Sequence, residues 1–197
     1  MILSLLEYDK SMKTAVLVID VQESFRQRKS WAQVSNPDIA ADVSRLVDTA
    51  RRAGHEVVWI LHADTESEGS APFNPASGFV RVFEGLDPAH DEPIIIKTSR
   101  NAFTTTNLGQ YLMRRGVRRV AIAGIQTEQC CETTARLAAD LGYDVTFVTE
   151  ATATFPITRP DSGEVLGTAE IISHTEFALA GRFARISSIA QAFDVTQ

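Results

Sequence analysis

The sequence predicts an α/β fold: a single doubly wound, mainly parallel six-stranded sheet with helices on both faces. Three observations support this prediction. Short apolar, β-branched segments recur along the chain, segments with helical spacing lie between them, and these helical segments stop at glycines. Continuous apolar strands are typical of parallel sheets that are buried on both faces. A repeated strand–helix–strand pattern folds through right-handed crossovers, so we expect a Rossmann-like three-layer sandwich.

The elements follow in order along the chain. The predicted strands cover residues 14–20, 55–62, 93–97, 118–124, 143–151 and 182–187. The predicted helices cover residues 38–54, 107–116, 130–142 and 170–181, and each stops at a glycine. Glycine is favoured just after a helix because it adopts the left-handed conformation without strain. A chain of 197 residues is long enough for one domain with a substantial core, so we expect residues 1–197 to form a single domain.

The composition excludes several function classes. The net charge is −6 and the pI is about 5.2, and an acidic surface disfavours nucleic acid and anionic membranes as partners. No apolar run approaches the roughly 20 residues that cross a bilayer. The start, MILSLLEYDK, lacks the basic region of a signal peptide, and two cysteines cannot form a disulfide framework. We therefore expect a soluble, cytoplasmic protein with reduced thiols.

Residues 63–92 interrupt the strand–helix pattern. They are rich in Gly, Pro, Ser and acidic residues, and a long irregular segment in a compact domain is often functional. Apolar residues nevertheless occur there, namely Phe73, Phe79, Val80, Val82 and Phe83. Such residues need cover from the domain itself, as in a self-packed lid, or from a second subunit. We predict a homo-oligomer, either a dimer or a tetramer.

Three polar residues follow predicted strands. Asp20 closes the first strand, Lys97 closes the third, and Cys130 follows the fourth at the start of a helix. Ligands bind beyond the carboxyl ends of strands in open α/β sheets, so these side chains are expected to share one crevice. A helix N-terminus and a nearby lysine are expected to lower the pKa of a cysteine thiol. A thiolate is a nucleophile, and a carboxylate can accept its proton.

Three motifs in the expected order carry a resemblance to a known family. They are VIDVQESF (18–25), KTSRNAFTTTNL (97–108) and GIQTEQCCETTARLAADLGYDVTFVTEATAT (124–154). From about Thr14 to Ser188 the chain resembles the isochorismatase-like cysteine hydrolase superfamily. That superfamily includes nicotinamidases, N-carbamoylsarcosine amidohydrolases and hydrolases of ureido compounds.

The resemblance implies a catalytic triad of Asp20, Lys97 and Cys130. Cys130 takes the family's nucleophile position, whereas Cys131 stands where the family usually has valine and is interpreted as a packing residue. True isochorismatases of the family have glycine at the nucleophile position, so the family name does not identify the substrate. The resemblance implies hydrolysis of a small carboxamide or ureido compound through a thioester.

The resemblance also implies a non-proline cis peptide bond between Ile125 and Gln126. Such a bond would turn the N–H of Gln126 toward the thiol, beside the N–H of Cys130. These two N–H groups would then form an oxyanion hole.

Aromatic residues in segments next to the triad are candidate walls of the substrate pocket. These are Phe25, Trp31 and Phe103, while Phe79 is at least as readily explained as a core residue. Nicotinamidases carry a D-x-H…H metal site after the second strand. Here the segment reads LHADTESEG, and His62 with Asp64 lacks that spacing. We expect no catalytic metal and no cofactor.

Two alternatives remain open from the residues alone. The adjacent cysteines could serve a thiol-based redox function, although no C-x-x-C spacing occurs and neighbouring cysteines rarely form an unstrained disulfide. The chain could also be a non-catalytic scaffold on the same fold.

Overall fold

A parallel sheet organises the molecule. The computed structural model describes residues 13–194. Its strands are β1 (Lys13–Ile19), β2 (Glu56–His62), β3 (Ile94–Lys97), β4 (Val117–Ile125), β5 (Asp144–Ala153), β6 (Ile157–Thr158), β7 (Val165–Leu166) and β8 (Arg185–Ser187). The main sheet has the order β3–β2–β1–β4–β5–β8, and all of its pairings are parallel. The predicted six-stranded, doubly wound fold is confirmed.

Helices cover both faces of this sheet. They are α1 (Glu23–Arg26), α2 (Ile39–Arg52), α3 (Leu108–Arg114), α4 (Glu132–Asp140) and α5 (Thr168–Leu179). The apolar side of α2 packs with Val16 and Val18 of β1, whereas α3, α4 and α5 lie on the opposite face with Ala15 and Leu17. Consecutive strand residues thus alternate between two buried layers, as the unbroken apolar strands of the sequence predicted. None of the helices within residues 13–194 is long and apolar enough to cross a membrane.

Glycines end the four longer helices, as predicted. Gly54, Gly116, Gly142 and Gly181 have φ values of 72°, 70°, 87° and 68°. In this left-handed conformation the chain turns away from the helix axis toward the next strand, and an L side chain would be strained there.

The strand order reverses at β1, which pairs with β2 on one side and β4 on the other. This topological switch point opens a crevice at the carboxyl edge of the sheet. Gly124 of β4 lies opposite Ile19 of β1, and a Cβ atom at Gly124 would stand 1.9 Å from the Ile19 carbonyl oxygen. Only glycine permits this approach, which brings the residues after β1 and β4 together.

Residues 79–83 of the irregular segment return beside residues 21–24. The N–H of Ser24 donates to the Phe79 carbonyl (3.1 Å), and the N–H of Phe83 donates to the Val21 carbonyl (3.1 Å). Phe83 is fully buried, and Phe73 and Val82 pack against the core. The domain itself therefore covers much of the apolar surface of residues 63–92. These residues give little reason to expect a second subunit.

The β6–β7 hairpin was not predicted from the sequence. Its strands have two residues each and pair only with one another. Ile157, Val165 and Leu166 on the hairpin are exposed, and Phe177 on α5 is 80% exposed.

Candidate active site

The structure brings Asp20, Lys97 and Cys130 together at the carboxyl edge of the sheet. Asp20 follows β1, and Lys97 is the last residue of β3. Cys130 lies in a π-helical turn, Thr127–Cys131, between β4 and α4. Asp20 and Lys97 are fully buried and Cys130 is 5% exposed. Asp20 has φ 55°, an uncommon conformation for a residue other than glycine, and its N–H donates to the Ile60 carbonyl at 2.7 Å.

Lys97 is the centre of this group. Its Nζ donates to Asp20 Oδ2 at 2.8 Å, to the Ser99 carbonyl at 3.2 Å and toward Cys130 Sγ at 3.4 Å. His62 Nδ1 lies 3.4 Å from the same Nζ. The other carboxylate oxygen, Asp20 Oδ1, is buried and has no hydrogen-bond partner among the described residues. It can therefore accept a proton or a hydrogen bond from a bound molecule.

The expected lowering of the cysteine pKa is wrong for Cys130. Burial, followed by the negative charge of Asp20, raises the pKa of its thiol to about 12, and Lys97 opposes both effects. Burial also raises the pKa of Asp20, again against Lys97. The loss of hydration on burial therefore outweighs the stabilisation of the thiolate by Lys97. The raised pKa keeps the Cys130 thiol neutral near pH 7, and the 2.8 Å contact with the Lys97 ammonium favours the carboxylate form of Asp20.

The turn that carries Cys130 is closed through Gln126. The N–H groups of Gln129 and Cys131 both donate to the Gln126 carbonyl, at 3.2 and 3.1 Å. The Ile125–Gln126 peptide bond is cis. Cys131 is fully buried in the layer beneath α3 to α5, and burial raises its pKa well above the usual 9.0. This placement agrees with the interpretation of Cys131 as a packing residue.

Gln22 helps to build the site, although its role was not predicted from the sequence. Its Oε1 accepts from the His62 N–H at 2.6 Å, and its Nε2 donates to the His62 carbonyl at 2.9 Å. The Gln22 amide thereby fixes the end of β2 beside the end of β1. Its position two residues after Asp20 in the motif VIDVQESF (18–25) was the available signal, since a buried amide next to a strand end needs backbone partners.

An aromatic cluster lies beside α1 on the α2 face of the sheet. Its members are Phe25, Trp31, Phe73, Phe83 and Phe155. Phe25 is central: its ring meets Phe73 edge-on at 5.0 Å and stacks with Phe155 at 5.8 Å. The structure thus brings Phe25 and Trp31 together, and His62 reaches the cluster through Phe73 at 5.9 Å.

Phe103 is not part of this cluster. Its ring stacks on Tyr143 at 6.0 Å, on the face covered by α3 and α4. Tyr143 precedes β5 and so lies toward the amino edge of the sheet, away from Cys130. This placement favours a core role for Phe103 over a pocket wall.

A polar cavity of about 530 Å³ adjoins the lysine. His62, Asp64, Ser99 and Arg100 are among its lining residues. Within residues 13–194 no group of three His, Cys, Asp or Glu side chains is placed to hold a metal ion. Asp64 instead accepts the N–H of Glu66 at 3.2 Å.

Comparisons with known proteins agree with this geometry. A family model described as an isochorismatase domain matches residues 14–163. An uncharacterized isochorismatase family protein of Bacillus subtilis, YrdC, is 30% identical over 171 residues, which is 84% of this chain and 90% of that protein. A streptothricin hydrolase of Streptomyces noursei is 30% identical over 84% of this chain, but this match spans only 59% of that enzyme.

A solved structure with the same fold is a cysteine hydrolase from Pseudomonas syringae pv. phaseolicola. It is 26% identical, with a TM-score of 0.81 over 92% of this chain and 91% of that one.

Proposed function

Because the chain belongs to the isochorismatase family of hydrolases, we propose that it hydrolyses a small carboxamide or ureido C–N bond through a thioester on Cys130. One observation carries the proposal: Lys97 Nζ contacts both Asp20 Oδ2 and Cys130 Sγ, while Asp20 Oδ1 remains unpartnered. A base, a nucleophile and a cation thus occupy one buried site. Hydrolysis of C–N bonds by covalent catalysis needs these three groups.

The first half-reaction forms the thioester. Asp20 accepts the thiol proton, and the thiolate attacks the substrate carbonyl carbon. This proton transfer leaves the total charge of the buried site unchanged, because the thiolate replaces the carboxylate as the partner of Lys97. The N–H groups of Gln126 and Cys130 are proposed to receive the oxyanion. Protonated Asp20 then gives its proton to the departing amine or ammonia.

The second half-reaction releases the acid. Asp20, again a carboxylate, accepts a proton from water as that water attacks the thioester carbonyl. The Cys130 sulfur leaves as a thiolate, which Lys97 stabilises and Asp20 reprotonates. The raised pKa of Asp20 supports this role, since a stronger base removes a proton more readily from a thiol whose pKa is itself raised.

The proposed substrate class rests on the site's surroundings and on its relatives. The cluster around Phe25 and Trp31 offers an apolar wall near the triad, and the cavity beside Lys97 offers polar groups that include Arg100. A compact molecule with one apolar and one polar end fits such a site. The name of the streptothricin hydrolase shows that a related sequence is hydrolytic.

A redox function is less well supported than hydrolysis. Oxidation of cysteine follows thiolate character and exposure. Cys130 and Cys131 are both nearly or fully buried, and burial raises the pKa of both thiols. Neither residue has the exposed, low-pKa character of a redox sensor.

A release assay tests the proposed function. Ammonia or amine release is measured over a panel of small carboxamides and ureido compounds, with the wild type, Cys130→Ala and Cys131→Val. We expect at least one compound to be hydrolysed by the wild type and by Cys131→Val but not by Cys130→Ala. Equal release by the wild type and Cys130→Ala would contradict the proposal.

A further inference from the structure

The Lys97 ammonium lies within hydrogen-bond reach of more acceptors than it has hydrogens to donate. An ammonium carries three N–H donors. Four acceptors lie within reach of Nζ: Asp20 Oδ2 (2.8 Å), the Ser99 carbonyl (3.2 Å), Cys130 Sγ (3.4 Å) and His62 Nδ1 (3.4 Å). The two oxygens are the nearest and the strongest acceptors. The third hydrogen must therefore be shared between Cys130 and His62.

His62 is built into the site as an acceptor. Gln22 binds both the N–H and the carbonyl of His62, so the backbone of His62 is held beside Lys97 by two hydrogen bonds. Burial, followed by the positive charges of Lys97 and Arg100, lowers the pKa of His62 to about 4, against smaller opposing effects of Asp64 and of a hydrogen bond with the Ser99 backbone. The imidazole is thus neutral near pH 7, and we assign it the Nε2–H tautomer, in which Nδ1 is the acceptor that faces Lys97 Nζ.

We infer that His62 is a positioning residue that competes with Cys130 for the third hydrogen of Lys97. In the resting enzyme the neutral thiol is the weaker acceptor, so the hydrogen is directed to His62 Nδ1. When the thiol proton passes to Asp20, the S–H bond breaks and an O–H bond forms. The thiolate is then a charged and stronger acceptor, and the Lys97 hydrogen turns from Nδ1 to Sγ. Neither Lys97 nor His62 gains or loses a proton.

This competition has a measurable consequence for the thiol. By holding the third hydrogen, His62 raises the proton affinity of Cys130 and keeps the resting cysteine neutral. Removing the acceptor would leave that hydrogen on Cys130 at all times and would favour the thiolate. The charged groups that act on the two residues are Asp20, Lys97, Arg100 and Asp64.

The test measures the reactivity of Cys130 without substrate. Alkylation by iodoacetamide is followed from pH 6 to 9 in a Cys131→Val background, with Cys130→Ala as the unlabelled control. His62→Asn and His62→Leu have side chains of similar size and shape, but only the asparagine amide places an oxygen near the Nδ1 position. His62→Gln, whose amide oxygen lies beyond that position, is the second variant without an acceptor at the Nδ1 position.

We expect His62→Leu and His62→Gln to be alkylated about tenfold faster than His62→Asn, which corresponds to about one unit in the thiol pKa. His62→Asn should stay close to the wild type. A simple loosening of the site would accelerate the asparagine and leucine variants alike. Equal rates in these two variants, or slower alkylation in both His62→Leu and His62→Gln than in the wild type, would overturn the inference.

The inference rests on the proposed function in one respect, namely that Cys130 is the reactive thiol. The two can fail separately, because alkylation is measured without substrate and amide release is measured without iodoacetamide. Alkylation that differs as expected in an enzyme with no amide turnover would count against the proposed function alone. Normal turnover with equal alkylation in His62→Asn and His62→Leu would count against the role of His62 alone.

Discussion

The buried pair of Asp20 and Lys97 can be separated into a structural and a catalytic part by a double-mutant cycle. The two side chains are 1% and 0% exposed and 2.8 Å apart. Asp20→Asn keeps the shape of the side chain but leaves a buried ammonium without its anion, which destabilises a protein by about 3–5 kcal/mol. Against a typical free energy of unfolding of about 5–15 kcal/mol, this is a large fraction.

Adding Lys97→Met removes the uncompensated charge. Replacing both members of a buried ion pair by uncharged residues is often neutral for stability. The double variant is therefore expected to regain most of the 3–5 kcal/mol lost by Asp20→Asn. It should not regain activity, because loss of a general base lowers the rate of the chemical step by about 10²–10⁴.

Urea unfolding, monitored by circular dichroism, measures the contribution of the pair to stability. Single-turnover amide release measures its contribution to catalysis. The matched control is Asp161→Asn, which breaks an ion pair of similar length, 3.0 Å to Arg159, between side chains that are 71% and 65% exposed. This exposed pair is expected to contribute less than about 1 kcal/mol. The reasoning is refuted if Asp20→Asn is no more destabilising than Asp161→Asn, or if the double variant turns over at the wild-type rate.

Four further predictions follow from the site and the surface. Cys130→Ala should abolish hydrolysis while Cys131→Val preserves fold and activity, and equal loss in both variants would refute the assignment. Turnover should survive a chelator, since His62 and Asp64 lack the D-x-H…H spacing; loss of activity that zinc restores would contradict this. The free energy of unfolding should fall as the pH decreases from 6.5 toward about 4, because the unfolded chain protonates His62 at its ordinary pKa while the folded protein holds that pKa at about 4. His62→Asn should flatten this part of the pH curve, and an unchanged slope would exclude the residue as the cause. The proposed homo-oligomer should sediment as a dimer or tetramer at micromolar concentration, and Phe177→Ser should shift it toward monomer because that side chain is 80% exposed; a wild type that sediments as a monomer at every concentration would remove the proposal.

Local patterns were sufficient to predict the sheet and most of its helices. Strands such as β1 are continuous apolar runs because both faces are buried, and Gly54 and Gly116 mark helix ends because their φ angles are positive. The positions of Asp20 and Lys97 followed from the rule that side chains at the carboxyl ends of parallel strands share one edge of the sheet. These features depend on residues close in sequence or on a general property of the fold.

Other features depend on contacts between distant residues. The thiol pKa was predicted in the wrong direction because the helix terminus is a local effect, whereas burial of Cys130 is set by the whole site. Phe103 was predicted to line the pocket because it lies in a segment next to the triad, but its ring stacks on that of Tyr143. The β6–β7 hairpin escaped prediction because strands of two residues carry no periodic pattern.

The most direct test of the account is mass spectrometry of the enzyme during turnover. A substrate found in the release assay is mixed with the Cys131→Val variant, the reaction is stopped with acid at short times, and the peptide that contains Cys130 is examined. The account predicts a transient mass increase equal to the substrate's acyl group on Cys130, absent from the Cys130→Ala protein. Product formation by Cys130→Ala at the wild-type rate, with no acyl adduct on Cys130 of the parent enzyme at any time, would contradict a thioester mechanism.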